Sequence, residues 1–137
     1  MWIVDSSVWI DFFNGRDSVE VRLLDSSLGR QTIGLLDLVL CEVLQGFHSD
    51  TDFRRAQAAL QTFSIFETGG EALAISSALN YRVLRRRGIT VRKTIDCLIA
   101  TYAIEQNYAL LYSDRDFDPF VEHLGLRSAV IESPLFK

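Results

Sequence analysis

Proline is scarce in this chain: two residues in 137, and both, Pro119 and Pro134, fall late. Gly/Ser-rich linkers, repeats and low-complexity tracts are missing, so nothing divides the sequence and residues 1–137 read as a single domain. Cysteine is limited to Cys41 and Cys97. Both lie in apolar helical runs and are expected to be buried, reduced thiols of a cytosolic protein. Together with the two histidines, His48 and His123, they are too scattered for a zinc site. Neither histidine has a triad context, and each reads as a surface residue. No apolar run approaches the length of a membrane span. The opening Trp2-Ile3-Val4-Asp5 lacks the basic segment and small-residue cleavage site of a signal peptide, so the expected location is cytoplasmic, with no membrane contact. The glycine patterns G-x-G-x-x-G and G-x-x-x-x-G-K-[ST] and the G-x-S-x-G elbow are also missing.

What is present suits a compact globular chain. Hydrophobic residues make up 48% and charged residues 23%, enough for a real core at this length. The net charge of −4, from 14 basic and 18 acidic residues, argues against a generic nucleic-acid coat protein. The positive charge is unevenly spread, with Arg82, Arg85, Arg86, Arg87, Arg92 and Lys93 close together. A cationic patch beside an acidic metal site fits a nuclease. A solvated helix end, where arginine complements the helix dipole, fits the same residues equally well.

Short apolar strands alternate with helical periodicity. Strands are predicted at Trp2–Val4, Gln31–Ile33, Ile65–Phe66 and Ala109–Tyr112, with a further one at Ala129–Ile131. Helices are predicted over Ser7–Phe13, Asp17–Leu28, Leu36–Phe47, Thr51–Phe63, Gly70–Arg87 and Ile95–Gln106, the last capped by Thr94, with a helical turn over Pro119–His123. Apolar strands between helices imply a parallel sheet covered on both faces, an α/β/α sandwich with four to five strands.

Four acidic positions stand out against this frame. Asp5 ends the first strand, Glu42 sits inside an apolar helix, Asp96 opens another, and Asp114 or Asp116 follows the fourth strand. In an open parallel sheet, sites form beyond the carboxyl ends of the strands. Each acid also has a plainer use. Asp5 and Asp96 suit helix starts. Asp114 and Asp116 suit a polar loop, and Glu42 suits a solvent stripe shared with Asp37 and Gln45. Glu42 has no Lys or Arg one turn away to pair with. As a set, the acids suggest a shared hard cation, magnesium or manganese, because ionised carboxylates embedded among apolar residues need a partner. Such an ion activates water and neutralises charge developing on phosphorus, while a further carboxylate orients the attacking water. Ser6 or Ser7 would add a hydroxyl to the phosphate or to the metal's water shell, or would serve only to cap a helix.

The opening WIVDSSVWIDFF, the CEVLQG segment, VRKTIDCLIATYA and YSDRDFD together resemble the PIN domain, and within it the VapC-type toxin ribonucleases. The likeness spans essentially the whole chain. It implies a PIN-like α/β/α sandwich on a mainly parallel sheet and a magnesium- or manganese-dependent endoribonuclease. It also implies a cognate antitoxin and a dimer or toxin–antitoxin hetero-oligomer. Carried over by position, Asp5 and Asp96 resemble the principal metal ligands and Glu42 the acid that positions water. Asp114 resembles the fourth acid, with Asp116 as an alternative for that place. Ser6 stands where many relatives have Thr, and Arg92 is expected to meet a phosphate or an antitoxin carboxylate. Three rival readings remain. One is a DNA-directed nuclease of the same fold, and another a non-catalytic interaction module. A phosphoaspartate receiver is the weakest, because Lys93 and Lys137 are misplaced for it.

Overall fold

The computed structural model describes residues 1–133, so Pro134 and Lys137 lie outside the described residues. Five strands form one sheet, all neighbours parallel, in the order β3-β2-β1-β4-β5. They are β1 (Trp2–Val4), β2 (Ile33–Leu36), β3 (Ser64–Phe66), β4 (Ala109–Leu111) and β5 (Arg127–Ser128). Parallel neighbours require crossovers, and helices supply them. Helices α1 (Ser6–Phe13) and α2 (Val19–Ser27) lead from β1 to β2, and α3 (Asp37–Gln45) and α4 (Asp50–Leu60) lead to β3. Helices α5 (Glu71–Arg86) and α6 (Thr94–Gln106) lead to β4. A single 3-10 turn (Arg115–Phe117) and α7 (Asp118–Leu124) precede β5, and α8 (Ala129–Glu132) follows it.

The central strands carry the core. Ile3, Val4, Leu35, Leu36, Leu110 and Leu111 are fully buried. Trp9 of α1 packs edge-on to Phe63, with ring centroids 5.3 Å apart, and stacks on Phe13, which meets Phe47 beyond α3. This aromatic group fixes α1 at the end of β1. Helix α6 is buried over most of its circumference, through Cys97, Ile99, Ala100, Thr101 and Ala103. Such a helix belongs inside the structure rather than on its surface. Two of its buried polar groups are matched by α5: Asn80 Nδ2 donates to Thr101 Oγ1 at 3.0 Å, and the Cys97 thiol to the Ser77 carbonyl at 3.2 Å.

Several local expectations need correction. The second strand starts two residues later than predicted, because Gly34 in its interior weakens the strand signal. A Cβ at Gly34 would lie 2.7 Å from the Phe66 ring and 2.9 Å from the Met1 sulfur, so any larger residue there must displace one or both side chains. Ala129–Ile131 is helix, not strand: the Ser128 hydroxyl accepts from the Ile131 N–H and caps α8, leaving the strand only Arg127–Ser128. Strand β3 is an exposed edge rather than a covered strand. Cys41 is exposed, on the outer side of α3, whereas Cys97 is buried as expected. Thr94 is the first residue of α6, not its cap.

Candidate metal centre

Strands β1 and β4 lie side by side, with Val4 opposite Leu111, and the Asp5 N–H donates to the Leu111 carbonyl at 2.9 Å. The chain leaves β1 towards β2 on one side, while β4 continues towards β5 on the other. That divergence opens a crevice beyond the carboxyl ends of the two strands. Asp5 and Asp114 stand just past those ends.

Asp5 caps α1 and faces the crevice at the same time. Its Oδ2 accepts from the Ser7 N–H at 3.2 Å and the Ser7 hydroxyl at 2.6 Å. Its Oδ1 is buried and without a partner. Asp96 is the third residue of α6, where a capping role was also open. It accepts no hydrogen bond among the described residues, its Oδ2 is buried without a partner, and Lys93 occupies the N-cap position. Glu42, half-buried on α3, accepts the Ser6 hydroxyl at 3.1 Å through Oε1. Asp114 Oδ1 accepts the Asp116 N–H at 2.9 Å and so caps the 3-10 turn.

These groups line one cleft of about 260 Å³, formed by Asp5, Ser6, Ser7, Ile10, Glu42, Gln45, Lys93, Asp96 and Asp114. One trio among the described residues, Asp96, Asp114 and Asp116, offers carboxylate oxygens all within 4.8 Å of one another. Asp5 stands outside that trio but shares the cleft with two of its members. Asp116 does not itself line the cleft, and its Oδ1 accepts from Arg92 Nη2 at 3.0 Å.

Residues 2–121 match the PIN domain family. The chain belongs to that family. Over 136 residues it is 32% identical to the VapC ribonuclease Mb1587 of Mycobacterium bovis and to ribonuclease VapC11 of Mycobacterium tuberculosis. Each alignment covers 94% of this chain and 98% of the relative. Among solved structures, VapBC2 from Rickettsia felis bound to a promoter DNA fragment superposes with a TM-score of 0.74 at 17% identity. That match covers 93% of this chain and 96% of the other. FitAcB from Neisseria gonorrhoeae superposes with a TM-score of 0.73 at 15% identity, covering 97% and 100%. At such identities the structural likeness speaks for the fold alone.

Electrostatics in this PIN domain follow from crowding acids in a partly dry cleft. Burial is the largest influence on Asp96, whose pKa is pushed up to about 7, and Asp5 adds to the rise. Lys93 opposes it, while Asp114 and Glu42 reinforce it. Burial likewise raises Asp5, against the lowering effect of its bonds from Ser7. The donors are all oxygens, two of them are buried and unmatched, and neighbouring charges repel. A hard divalent cation answers each of these features, so the residues fit one. Arg92, expected to meet a phosphate or an antitoxin carboxylate, has its guanidinium 77% exposed and paired with Asp116. Sequence reasoning missed Lys93 and Gln45 as cleft residues. The signal for Lys93 was its position three residues before Asp96, on the same helix end.

Proposed function

We propose that this PIN-domain chain is a magnesium- or manganese-dependent endoribonuclease, the toxin of a toxin–antitoxin pair, which hydrolyses phosphodiester bonds of tRNA or another structured RNA. The observation that carries this reading is the pair of buried, unmatched carboxylate oxygens, Asp5 Oδ1 and Asp96 Oδ2, at one cleft. Leaving such groups without a partner costs several kcal/mol in order of magnitude, roughly, unless a ligand completes them. Asp5, Asp96 and Asp114 would hold the ion, with Asp116 close enough to share it. A hard cation bound there supplies a more acidic water and offsets the charge developing on phosphorus. Glu42, steadied by the Ser6 hydroxyl, is placed to orient the attacking water and take its proton. Ser6 thus acts through Glu42 rather than on the phosphate.

The whole chain is one PIN domain on this reading, since α7, β5 and α8 complete the same sheet and core. The names of the curated relatives support a ribonuclease, and the solved VapBC assemblies support a protein antitoxin as partner. The proposed site of action is the cytoplasm; no helix among the described residues is long and apolar enough to cross a membrane. Helix α5 leaves Ile75, Leu79 and Val83 exposed at four-residue spacing, a strip suited to a homodimer or hetero-oligomer.

The test is incubation of purified protein with mixed tRNA and ribosomal RNA in magnesium, in manganese and in EDTA, beside Asp96→Asn. Discrete fragments that need the metal and vanish in the variant are expected. Cleavage that persists in EDTA or in the variant would overturn the site. Cleavage of single-stranded DNA in place of RNA would keep the site and change the substrate.

A further inference from the structure

We propose that Lys93 is the phosphate-binding cation of this cleft, gripping a phosphodiester of the bound RNA through its ammonium group, in the role that the adjacent Arg92 leaves vacant. The inference rests on the nuclease reading above and names how the substrate is held. The cleft presents four carboxylates, Asp5, Glu42, Asp96 and Asp114, to a polyanion. One divalent ion offsets only half of that charge, so a further cation is needed where the backbone of the nucleic acid passes. Among the described residues, Lys93 is the one Lys or Arg lining the cleft.

The basic residues nearby are already committed or lie elsewhere. Arg92 is held by Asp116 at 3.0 Å. Arg82 and Arg85 line a separate groove between α5 and α6, where Arg85 lies over the Tyr81 ring, 5.6 Å from its centroid. Lys93 has no carboxylate within 4.0 Å among the described residues, despite the four acids around it. Its backbone is fixed at the N-cap position of α6, one turn from Asp96, while its side chain is exposed. A cation anchored at its base and free at its tip can reach a phosphate without first breaking an ion pair. A compact ammonium on a flexible stem is a familiar phosphate binder.

The rival role is purely electrostatic: Lys93 would only soften the repulsion felt by Asp96, which it does lower. Three readouts separate the two roles, using Lys93→Gln and Lys93→Arg in the full chain. Binding of a short fluorescent single-stranded RNA is measured across a salt series in Ca2+. Manganese binding is measured calorimetrically without RNA, and cleavage across pH. A phosphate contact predicts weaker RNA binding in Lys93→Gln and a salt slope smaller by about 0.7, with the slope restored in Lys93→Arg. It also predicts kcat/KM reduced about tenfold or more, with manganese bound at least as tightly as by the parent, since one positive charge has left the site. An unchanged RNA affinity and salt slope, with only the manganese affinity or the pH profile displaced, would overturn the proposal. If the parent chain cleaves no RNA yet the slope difference persists, the nuclease reading falls and the phosphate contact stands.

Discussion

The acid cluster makes this protein's metal-free stability run in an unusual direction with pH. Asp96 is pushed up to about 7 from the usual 3.8 by burial and by Asp5. Between those two values the native protein keeps a proton that the unfolded chain has released. More protons bound in the native state means that stability falls as pH rises. The contribution is complete below about pH 4 and is lost as pH passes 7. Each pKa unit corresponds to about 1.4 kcal/mol, so the shift sets a ceiling of about 4 kcal/mol. Between pH 5 and 8 the loss attributable to Asp96 is about 3 kcal/mol, or roughly 10 °C in Tm for a chain of this size. The measurement is thermal unfolding in EDTA across that range for the parent and for Asp96→Asn, which carries no proton to lose. The parent curve should drop relative to the variant as pH rises. Manganese should reverse the trend, because it takes the place of the proton and binds best when Asp96 is ionised. At a hundred times its Kd, bound metal adds about 2.7 kcal/mol. Parallel EDTA curves for parent and variant would refute the claim that Asp96 is held in a repulsive, dry site.

Asp5→Asn keeps a good helix cap while removing a desolvated charge. At pH 8 in EDTA its Tm should exceed the parent's, while cleavage and manganese binding, read by calorimetry, are lost. Ser6→Ala takes away the hydroxyl that holds Glu42. It should lower kcat about tenfold or more with manganese affinity unchanged, and cost about 1 kcal/mol in urea unfolding. Gly34→Ala forces a methyl against the Phe66 ring and the Met1 sulfur. A loss of about 1–3 kcal/mol is expected in urea unfolding, partly recovered by adding Phe66→Leu.

The fold was legible where the chain is locally consistent. Apolar strands of three or four residues separated by helical periodicity imply a parallel sheet, and the strand ends at Asp5 and Asp114 imply the crevice. Where a residue serves two ends, sequence alone leaves the choice open. Asp5 was readable as a cap or as a site acid, and the structure gives one oxygen to each use. Asp96 was equally ambiguous, and only its unmatched Oδ2 and the absence of any bond to its own helix decide against capping. The error at Ala129–Ile131 arose because three apolar residues carry no period, and the deciding group was the hydroxyl just before them. Arg92 and Lys93 are neighbours whose side chains diverge at a helix entry, so spacing to Asp96 could not tell which would be tied to Asp116. Pairings over such distances in sequence are properties of the assembled loops, not of either segment.

The order of the strands also has a temporal side. The central strand β1 comes early in the chain, yet one of its two neighbours, β4, begins only at Ala109. A nascent chain that has emerged as far as the end of α6 already carries Asp5, Glu42 and Asp96. It still lacks the strand that holds the base of the crevice together, and Asp114 with it. The parts of the centre therefore accumulate over most of translation, whereas the centre itself arises in a single late step. On the nuclease reading proposed above, a chain made only as far as α6 is expected to be inactive, because it lacks both Asp114 and the β4 pairing that positions Asp5.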